Sequence, residues 1–326
     1  MTDSAAEKID LAIIGGGPAG LTAAIYGCRA GLSTIVFSSA VPGSQLLKTD
    51  ALENFPGFPE PVSGYDLLEK MQRQAVKLGA EVSEDEIIEA DIRENTANNE
   101  PEPDASKTKL FCLKTDSGKT IKARAVIIAS GAVPRMLGLA DEQRLLGRGV
   151  SYCAVCDGFF FRRKPVAVIG GGDTAVGEAL YLAKLASEVY LVHRRSELRA
   201  AASLAEKVFA SKNIKLELDS NVVAIKGENS VEGIYVKNSK TGIISEIPVS
   251  GVFIAIGQTP SSALFAGQLE ISPSGIIKTD NRCRSSVPGV FAAGDVADPL
   301  YRQAIVAAAS GAKAAMEAAE YLKEIH

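Results

Sequence analysis

Two stretches of the 326-residue chain share one pattern of hydrophobic and polar positions. In the first, a short apolar run at Ile9–Ile14 leads into a glycine-rich turn. A segment with helical spacing of apolar residues follows from about Pro18 to Ala30, and a second apolar run follows at Ser33–Phe37. Because short apolar runs predict buried strands, this stretch is predicted to form a β-α-β unit.

The same pattern returns later in the chain. Val166–Ile169 reads as a strand, Asp173–Leu185 as a helix and Val189–Val192 as the next strand. Two β-α-β units in one chain predict two dinucleotide-binding domains. The predicted fold class is therefore α/β, with two Rossmann-like domains.

Two further apolar runs, Ala125–Pro134 and Gly251–Pro260, both end in Gly-x-x-Pro. We interpret them as the two places where the chain crosses between domains. The second domain is then inserted into the first, which gives 1–131 and 256–326 as the two parts of the first domain and 132–255 as the insert. The Ala-rich end of the chain is predicted to form the closing helix.

Composition and charge narrow the class of protein. Apolar residues make up 46% of the chain and charged residues 23%, which is ordinary for a globular protein. The net charge of −4 argues against nucleic acid as the main partner. No apolar run has membrane-spanning length, and the polar N-terminus lacks the features of a signal peptide. A cytoplasmic location without a membrane partner is expected, and the polar segment Arg93–Lys107 is predicted to be an exposed loop.

The five cysteines are unevenly placed. Cys28, Cys112 and Cys283 are scattered, whereas Cys153 and Cys156 form a C-x-x-C motif. A structural zinc site needs a second Cys/His pair with suitable spacing, and the chain offers none, so no metal is predicted. The motif is interpreted as a working dithiol, with an idle pair in the core as the alternative.

A working C-x-x-C lets one cysteine attack an outside disulfide while the other resolves the mixed disulfide. Asp157, directly after Cys156, is a candidate for carrying the proton that this exchange must move. The alternative for Asp157 is a turn residue before Gly158. The aromatic run Phe159–Phe161 is predicted to pack in the core or at a domain interface rather than to take part in the chemistry.

The two glycine-rich turns carry different signatures. Gly15–Gly20 fits G-x-G-x-x-G and predicts dinucleotide binding, although Ser38 and Ser39 stand where an acid usually binds the ribose. The second turn fits G-x-G-x-x-A, and arginines follow its second strand, which suits the 2′-phosphate of NADPH. FAD then suits the first site, because two nicotinamide sites would leave no electron path to a disulfide. The predicted NADPH residues are Gly170, Gly172, Asp173, Thr174, His193, Arg194, Arg195 and Arg199.

The motifs GGGPAG, ENFPGFP, CAVCDGFFF, GGGDTA, HRRSELRA and GVFAAGDVADPLYRQAI occur in this order along almost the whole chain. In this the chain resembles the low-molecular-weight thioredoxin reductases. The resemblance implies a homodimer, FAD bound by the first and last parts of the chain, and NADPH and the C-x-x-C in the inserted domain.

The resemblance also implies site residues. It places FAD phosphates at Gly15, Gly17 and Gly20 and the adenosine side along Ser38–Gln45. The family usually has Gly-Gly-Gln where this chain has Gly43, Ser44 and Gln45. The flavin end is expected at Asn54, Gly294, Asp295, Arg302, Gln303 and Ala304.

The implied cycle runs from NADPH to FAD, from FAD to the Cys153–Cys156 disulfide, and from the dithiol to thioredoxin. Cys153 is expected to attack thioredoxin, and Cys156 to face the flavin and resolve. A rotation of the NADPH domain, which the resemblance implies, makes Gly131 and Gly257 the expected hinges. The alternatives are a related flavoprotein disulfide reductase with another thioredoxin-like partner, and a non-enzymatic redox sensor.

Overall fold

The structure is a computed structural model that describes residues 7–38, 44–48, 52–92 and 110–325. Several predicted features lie outside the described residues, namely Ser39, Gly43 and the segment Arg93–Lys107. The described helices are α1 (Pro18–Arg29), α2 (Gly64–Lys77), α3 (Ala140–Arg144), α4 (Ala154–Asp157), α5 (Asp173–Leu182), α6 (Ala202–Ala210) and α7 (Ala304–Glu324).

The described strands fall into two groups. The first group is β1 (Glu7–Ile14), β2 (Thr34–Phe37), β3 (Glu81–Ser83), β4 (Ile87–Asp91), β5 (Phe111–Thr115), β6 (Thr120–Ile128) and β7 (Ala132–Pro134). The second group is β8 (Val150–Ser151), β9 (Pro165–Ile169), β10 (Glu188–Val192), β11 (Ile214–Glu217), β12 (Ser220–Lys226), β13 (Gly233–Asn238), β14 (Ile244–Ile247), β15 (Gly251–Ile254), β16 (Gln258–Pro260) and β17 (Val290–Ala292).

The chain forms two compact units. The first comprises Met1–Val133 together with Thr259–His326, and the second comprises Pro134–Gln258. The short strands β7 and β16, where the chain passes from one unit to the other, pair with each other. The sequence divides the domains at 131/132 and at 255/256, and the functional assignment of these domains stays a prediction.

The first unit is built on a sheet that has seven strands among the described residues. The order is β3-β2-β1-β6-β5-β4, and the end of β6 pairs in parallel with β17. Ile14 of β1 aligns with Phe37 and Ile128, and Ile128 aligns with Ala292. The parallel strands therefore end together at one edge, where ligands of α/β sheets bind.

Helices α1 and α7 cover one face of this sheet. Leu11 and Ile13 of β1 belong to the core cluster beneath these helices, whereas Ile14 belongs to the cluster on the other face. Small residues let the helices approach closely: a Cβ atom at Gly311 of α7 would lie 2.0 Å from the carbonyl oxygen of Ala19 in α1.

The second unit contains a parallel sheet with the order β11-β10-β9-β15-β8. Alternate residues of β9 feed two core clusters, so both faces are buried. The cluster that includes Val168 also takes in Val176 of α5 and Val208 of α6. The cluster with Ala167 includes Val222 and Ile234 of the antiparallel sheet β12-β13-β14.

None of the helices among the described residues has the length and apolar character needed to cross a membrane.

The close contact of α1 and α7 leads to a stability prediction. Gly311→Ala places a Cβ atom against a backbone oxygen, so the helices must separate, and we expect a loss of about 1–3 kcal/mol in the free energy of unfolding. Gly177→Ala in α5 is the matched control, because a Cβ atom there has no atom within 4 Å in the part of the chain that the structure describes. The control is expected to gain up to about 1 kcal/mol from helix propensity. Thermal unfolding of both variants checks this, and equal midpoints would contradict it.

Candidate functional site

The first glycine turn brings α1 directly against the end of β1. A Cβ atom at Gly15, which has φ +117°, would lie 2.2 Å from the Ala129 carbonyl oxygen, and one at Gly20 would lie 1.8 Å from the Gly15 carbonyl oxygen. Gly17 is the N-cap residue of α1, and among the described residues only Ser44 Oγ, at 3.8 Å, lies within 4 Å of the position of its missing Cβ. An uncapped helix N-terminus with open space before it suits a phosphate group.

Two further predicted residues lie beside this turn. A Cβ atom at Gly16 would overlap Ser38 Oγ at 2.2 Å, so Ser38 at the end of β2 contacts the turn. Gly294 follows β17, and its N–H donates to Ser310 Oγ at 2.8 Å. A Cβ atom at Gly294 would approach the Cβ of Ala19 to 3.0 Å. The structure thus gathers these residues at the carboxyl edge of the sheet. Gln45 begins a short 3₁₀ turn, Gln45–Lys48.

The residues expected at the flavin end meet at the start of α7. Asn54 Nδ2 donates a hydrogen bond to Gln303 Oε1 at 3.2 Å. Gln303 is the N-cap residue of α7, and Ala304 is the first residue of that helix. Arg302 has φ +46°, and within the described part of the chain its buried Nε has no hydrogen-bond partner. Burial raises the pKa of Asp295, and the charge of Arg302 opposes that shift.

The second glycine turn repeats the geometry of the first. A Cβ atom at Gly170, which has φ +151°, would lie 2.4 Å from the Ala255 carbonyl oxygen. A Cβ atom at Gly171 would overlap His193 Nδ1 at 2.3 Å. Gly172 is the N-cap residue of α5, and a Cβ atom there would meet no described residue within 4 Å. This second uncapped helix start is equally open to a phosphate group.

The arginine-bearing loop after β10 is held against this turn. The backbone N–H of Arg199 donates to the Gly171 carbonyl oxygen at 2.7 Å. Asp173 Oδ1 accepts the N–H of Ala201, also at 2.7 Å. Asp173 therefore fixes the loop that presents the basic residues. The side chains of Thr174, Arg194, Arg195 and Arg199 are exposed.

His193 lies beneath the second glycine turn at the end of β10. It is buried, and burial together with the charge of Arg199 lowers its pKa. Its Nε2 is buried and finds no hydrogen-bond partner among the described residues. The sequence prediction of a nucleotide contact at His193 therefore has its residue directly beside the second glycine turn.

The C-x-x-C follows β8, at the same sheet edge as the second glycine turn. Cys153 and Cys156 form a disulfide with their Cα atoms 5.3 Å apart. Cys153 caps α4, and its Sγ accepts the Cys156 N–H at 3.2 Å. This N–H stabilises negative charge on the Cys153 sulfur. Both cysteines are half-buried rather than enclosed, so they do not form an idle pair in the core.

Ser151, the last residue of β8, was not expected to belong to this site. Its hydroxyl donates to Asp157 Oδ2 at 2.5 Å and accepts the Cys153 N–H at 3.0 Å. It is only 4% exposed. The nearest signal in the sequence was its place two residues before the C-x-x-C, which does not distinguish it from an ordinary strand residue.

The aromatic run after the dithiol divides into two kinds of residue. Phe161 packs edge-to-face on Phe253 with ring centroids 5.4 Å apart, as expected of a packing residue. Phe159 and Phe160 are exposed, as is Val155 within α4, so these two phenylalanines do not pack in the core. Their packing at a domain interface stays a prediction.

Glu178 in α5 is a second residue near the dithiol that the sequence gives no reason to single out. Burial raises its pKa to about 7, and the backbone N–H of Ala154 in α4 opposes that shift. Its Oε2 is buried without a hydrogen-bond partner in the described residues. We call the segment Cys153–Asp157, which carries the dithiol, the redox turn. The Glu178 carboxyl group is a titratable group on α5 that reaches this redox turn.

The other cysteines stay apart from the dithiol. Cys28, Cys112 and Cys283 are free thiols. Within the described ranges, no three His, Cys, Asp or Glu side chains are grouped so that they could hold a metal ion.

The raised pKa of Glu178 leads to a prediction about stability and pH. In the unfolded chain this carboxyl ionises near 4.5, and in the folded chain near 7. Its contribution to stability is complete below pH 4.5 and is lost as the pH rises through 7. Glu178→Gln, which cannot ionise, should therefore gain stability relative to the parent between pH 5 and pH 8, by on the order of 3 kcal/mol.

The measurement is the thermal midpoint of both proteins across this pH range. Glu206→Gln, at an exposed position of α6, is the matched control and should follow the parent at every pH. A constant difference between Glu178→Gln and the parent would contradict the buried titration.

Comparison with known proteins places this geometry in a family. Residues 9–311 match the pyridine nucleotide-disulphide oxidoreductases. The chain is 44% identical over 312 residues to a thioredoxin reductase of Streptomyces coelicolor, covering 95% of this chain and 92% of that protein. The solved thioredoxin reductase of Giardia duodenalis superposes with a TM-score of 0.88 at 40% identity, covering 97% of this chain and 99% of that one. That of Streptococcus pyogenes gives a TM-score of 0.86 at 37% identity over the same shares. The chain therefore belongs to the pyridine nucleotide-disulphide oxidoreductase family and, within it, to the thioredoxin reductases.

Proposed function

We propose that this protein is an NADPH-dependent thioredoxin-disulfide reductase whose working dithiol is Cys153 and Cys156. When bound, FAD and NADPH supply the hydride and electron transfer that delivers two electrons to this pair. The observation that carries the proposal is the half-buried disulfide at the end of β8. It lies at the same edge of the second sheet as the open glycine turn after β9, with only β15 between the two strands.

Three features of the first unit support FAD as its ligand. The starts of α1 and α7 both offer backbone N–H groups, which suits phosphate and other electron-rich groups. Arg302 offers a buried Nε that is not used within the described chain. Asn54 and Gln303 offer further polar atoms beside it. The residues that would hold FAD are Gly15, Gly17, Gly20, Ser38, Gln45, Asn54, Gly294, Asp295, Arg302, Gln303 and Ala304.

The second unit supports NADPH rather than NADH. Three exposed guanidinium groups follow β10. An NADH site usually has an acidic residue at this position to bind the ribose, and such an acid would repel the 2′-phosphate of NADPH. Arg199 is tied to the glycine turn through its backbone, so its side chain is held near the phosphate-binding helix start. The remaining residues that would contact NADPH are Gly170, Gly172, Asp173, Thr174, His193, Arg194 and Arg195.

The dithiol then works as a pair. The Cys153 thiolate attacks the substrate disulfide, a mixed disulfide forms and one substrate sulfur leaves. Cys156 next attacks Cys153 Sγ, so the intramolecular disulfide re-forms and the second substrate sulfur is released. Asp157 takes the proton of Cys156 and passes it towards the product thiol. Exposed Val155, Phe159 and Phe160 beside the dithiol suit a protein substrate rather than a small one.

The homodimer and the cytoplasmic location complete this proposal as predictions. The assay that tests it adds thioredoxin to the FAD-loaded protein and compares the oxidation of NADPH with that of NADH. NADPH oxidation that does not depend on thioredoxin would refute the proposed substrate. It would favour another thioredoxin-like partner, and no NADPH oxidation at all would favour a redox sensor.

The order of attack leads to a trapping prediction. Cys156→Ser leaves Cys153 able to attack and removes the resolving thiol, so a mixed disulfide with thioredoxin should accumulate. Cys153→Ser should give no such adduct, and Cys112→Ser should turn over like the parent. Non-reducing electrophoresis with mass spectrometry measures the adduct. An adduct on Cys153→Ser instead would reverse the two roles.

The arginine loop leads to a specificity prediction. Replacing Arg194 and Arg195 together by Ala removes two charge-assisted contacts to the 2′-phosphate, so KM for NADPH should rise by about 100-fold or more. KM for NADH should change by less than about threefold, because NADH has no such phosphate. Replacing Lys207 and Lys212 together by Ala removes two exposed positive charges from the same unit and serves as the charge-matched control. Equal losses for both nucleotides would show that the arginines do not read the phosphate.

A further inference from the structure

Ser151 joins the two functional parts of the redox turn. Its hydroxyl contacts the Asp157 carboxylate at 2.5 Å and the backbone N–H of Cys153 at 3.0 Å. The serine is fixed by the sheet, because β8 pairs with β15 and aligns Ser151 with Phe253. A buried hydroxyl on a rigid strand thus holds both the candidate acid and the backbone of the attacking cysteine.

The direction of these hydrogen bonds follows from the single proton of a hydroxyl group. The Cys153 N–H can only donate, so Ser151 Oγ accepts from it. Ser151 Oγ can donate either to Asp157 Oδ2 at 2.5 Å or to the Cys153 carbonyl oxygen at 3.3 Å. The shorter distance lies in the range of O–H···O⁻ bonds to an ionised carboxylate. The proton therefore points to Asp157.

We propose that Ser151 is a positioning residue for the dithiol, which keeps the Asp157 carboxylate ionised and aimed so that it can accept the proton of Cys156 during resolution. This inference rests on the proposed function, in which Asp157 carries that proton. The hydroxyl acts through Asp157 and through the backbone of Cys153.

The resolving step balances in atoms and charge. Cys156 gives its proton to Asp157, and its sulfur attacks Cys153 Sγ in the mixed disulfide. The Cys153–Cys156 bond forms while the bond to the substrate sulfur breaks, and the departing thiolate receives the proton. Because Asp157 must accept the proton first, a donor that stabilises its carboxylate extends the step to lower pH.

Any test of pH dependence must distinguish the titration of Asp157 from the effects of other titratable and charged groups near α4. The packed helix α5 carries Asp173, Glu178 and Tyr181. Tyr152, which precedes the turn, donates its hydroxyl proton to Glu142 at 2.7 Å. Arg162 follows the adjoining 3₁₀ turn, and its guanidinium group lies over the Phe159 ring. Glu178 is the one of these whose pKa is raised to about 7, so the test includes Glu178→Gln.

The experiment follows one turnover of the pre-reduced, FAD-loaded protein with the aromatic disulfide DTNB across pH 5.5 to 9. The first release of thiolate reports attack by Cys153, and the second reports resolution by Cys156. The variants are Ser151→Ala, Ser151→Thr, Asp157→Asn and the double variant Ser151→Ala/Asp157→Asn. Flavin absorbance and the thermal midpoint check that each variant folds.

We expect Ser151→Ala to slow the second release about tenfold at pH 6.5 and to move its acid limb up by about one pH unit, with little change in the first release. Ser151→Thr, which keeps the hydroxyl, should restore the profile. In the Asp157→Asn background the Ser151→Ala change should have less than about a twofold effect, because the two residues act as one unit. Glu178→Gln should keep the parent's acid limb.

Several outcomes overturn the proposal. Equal slowing by Ser151→Ala in both backgrounds without a pH shift shows a purely structural role. If Asp157→Asn slows the second release and Ser151→Ala does not, the positioning role of Ser151 is refuted and the proposed function stands. If Asp157→Asn leaves the second release unchanged, the proton-carrying role of Asp157 in the proposed function is refuted as well. If Ser151→Ala does not fold, Ser151→Gly provides a second hydroxyl-free variant with the same expected profile.

Discussion

The structure depends on two places where a helix begins almost in contact with the end of a strand. At each place a side chain larger than hydrogen would collide with a backbone oxygen, at 2.2 Å for Gly15 and at 2.4 Å for Gly170. This close approach directs the N–H groups of α1 and α5 outward over the carboxyl edge of the sheet. The cores on both faces of each sheet keep the strands, and with them these helix starts, in place.

In the second unit, a short strand and one turn are sufficient to place the dithiol at the same edge of the sheet. A two-residue strand, β8, joins the edge of the parallel sheet and delivers the chain to its carboxyl end. The turn then leans on α5: a Cβ atom at Gly158 would lie 2.9 Å from Leu182 Cδ2, and Ala154 is fully buried in the same core cluster. The sulfur atoms therefore share one rigid support with the second glycine turn.

Local patterns were sufficient to predict the strands and helices of both β-α-β units, because the spacing of apolar residues and the glycines act within a few positions. α1 begins at Pro18 and α5 at Asp173, as the sequence predicts, and each ends slightly earlier than predicted. The hydrogen bond between Asn54 and Gln303 spans 249 positions, and only the family resemblance placed both residues at one end of the ligand. No periodicity in the sequence links positions that far apart.

Ser151 and Glu178 could not be predicted, because their roles arise from burial. A serine in a short strand and a glutamate in an amphipathic helix are both expected on the surface, and neighbouring elements alone decide otherwise. The exposure of Phe159 and Phe160 is the converse case, since aromatic residues are usually assigned to the core. In each instance the residue type predicts the usual degree of burial, and the tertiary arrangement produces the opposite one.

The small size of the disulfide ring has a consequence for the durability of the protein. The bonded cysteines are separated by three positions, so the cross-link restricts the unfolded chain far less than one that closes a long loop. The turn is also closed without it, by hydrogen bonds from the Asp157 N–H to the Cys153 carbonyl oxygen and from the Cys153 N–H to Ser151. Breaking the S–S bond therefore leaves the domain nearly as resistant to unfolding as before. The cross-link is thus free to open and close in a redox cycle without acting as the clamp that holds the domain together.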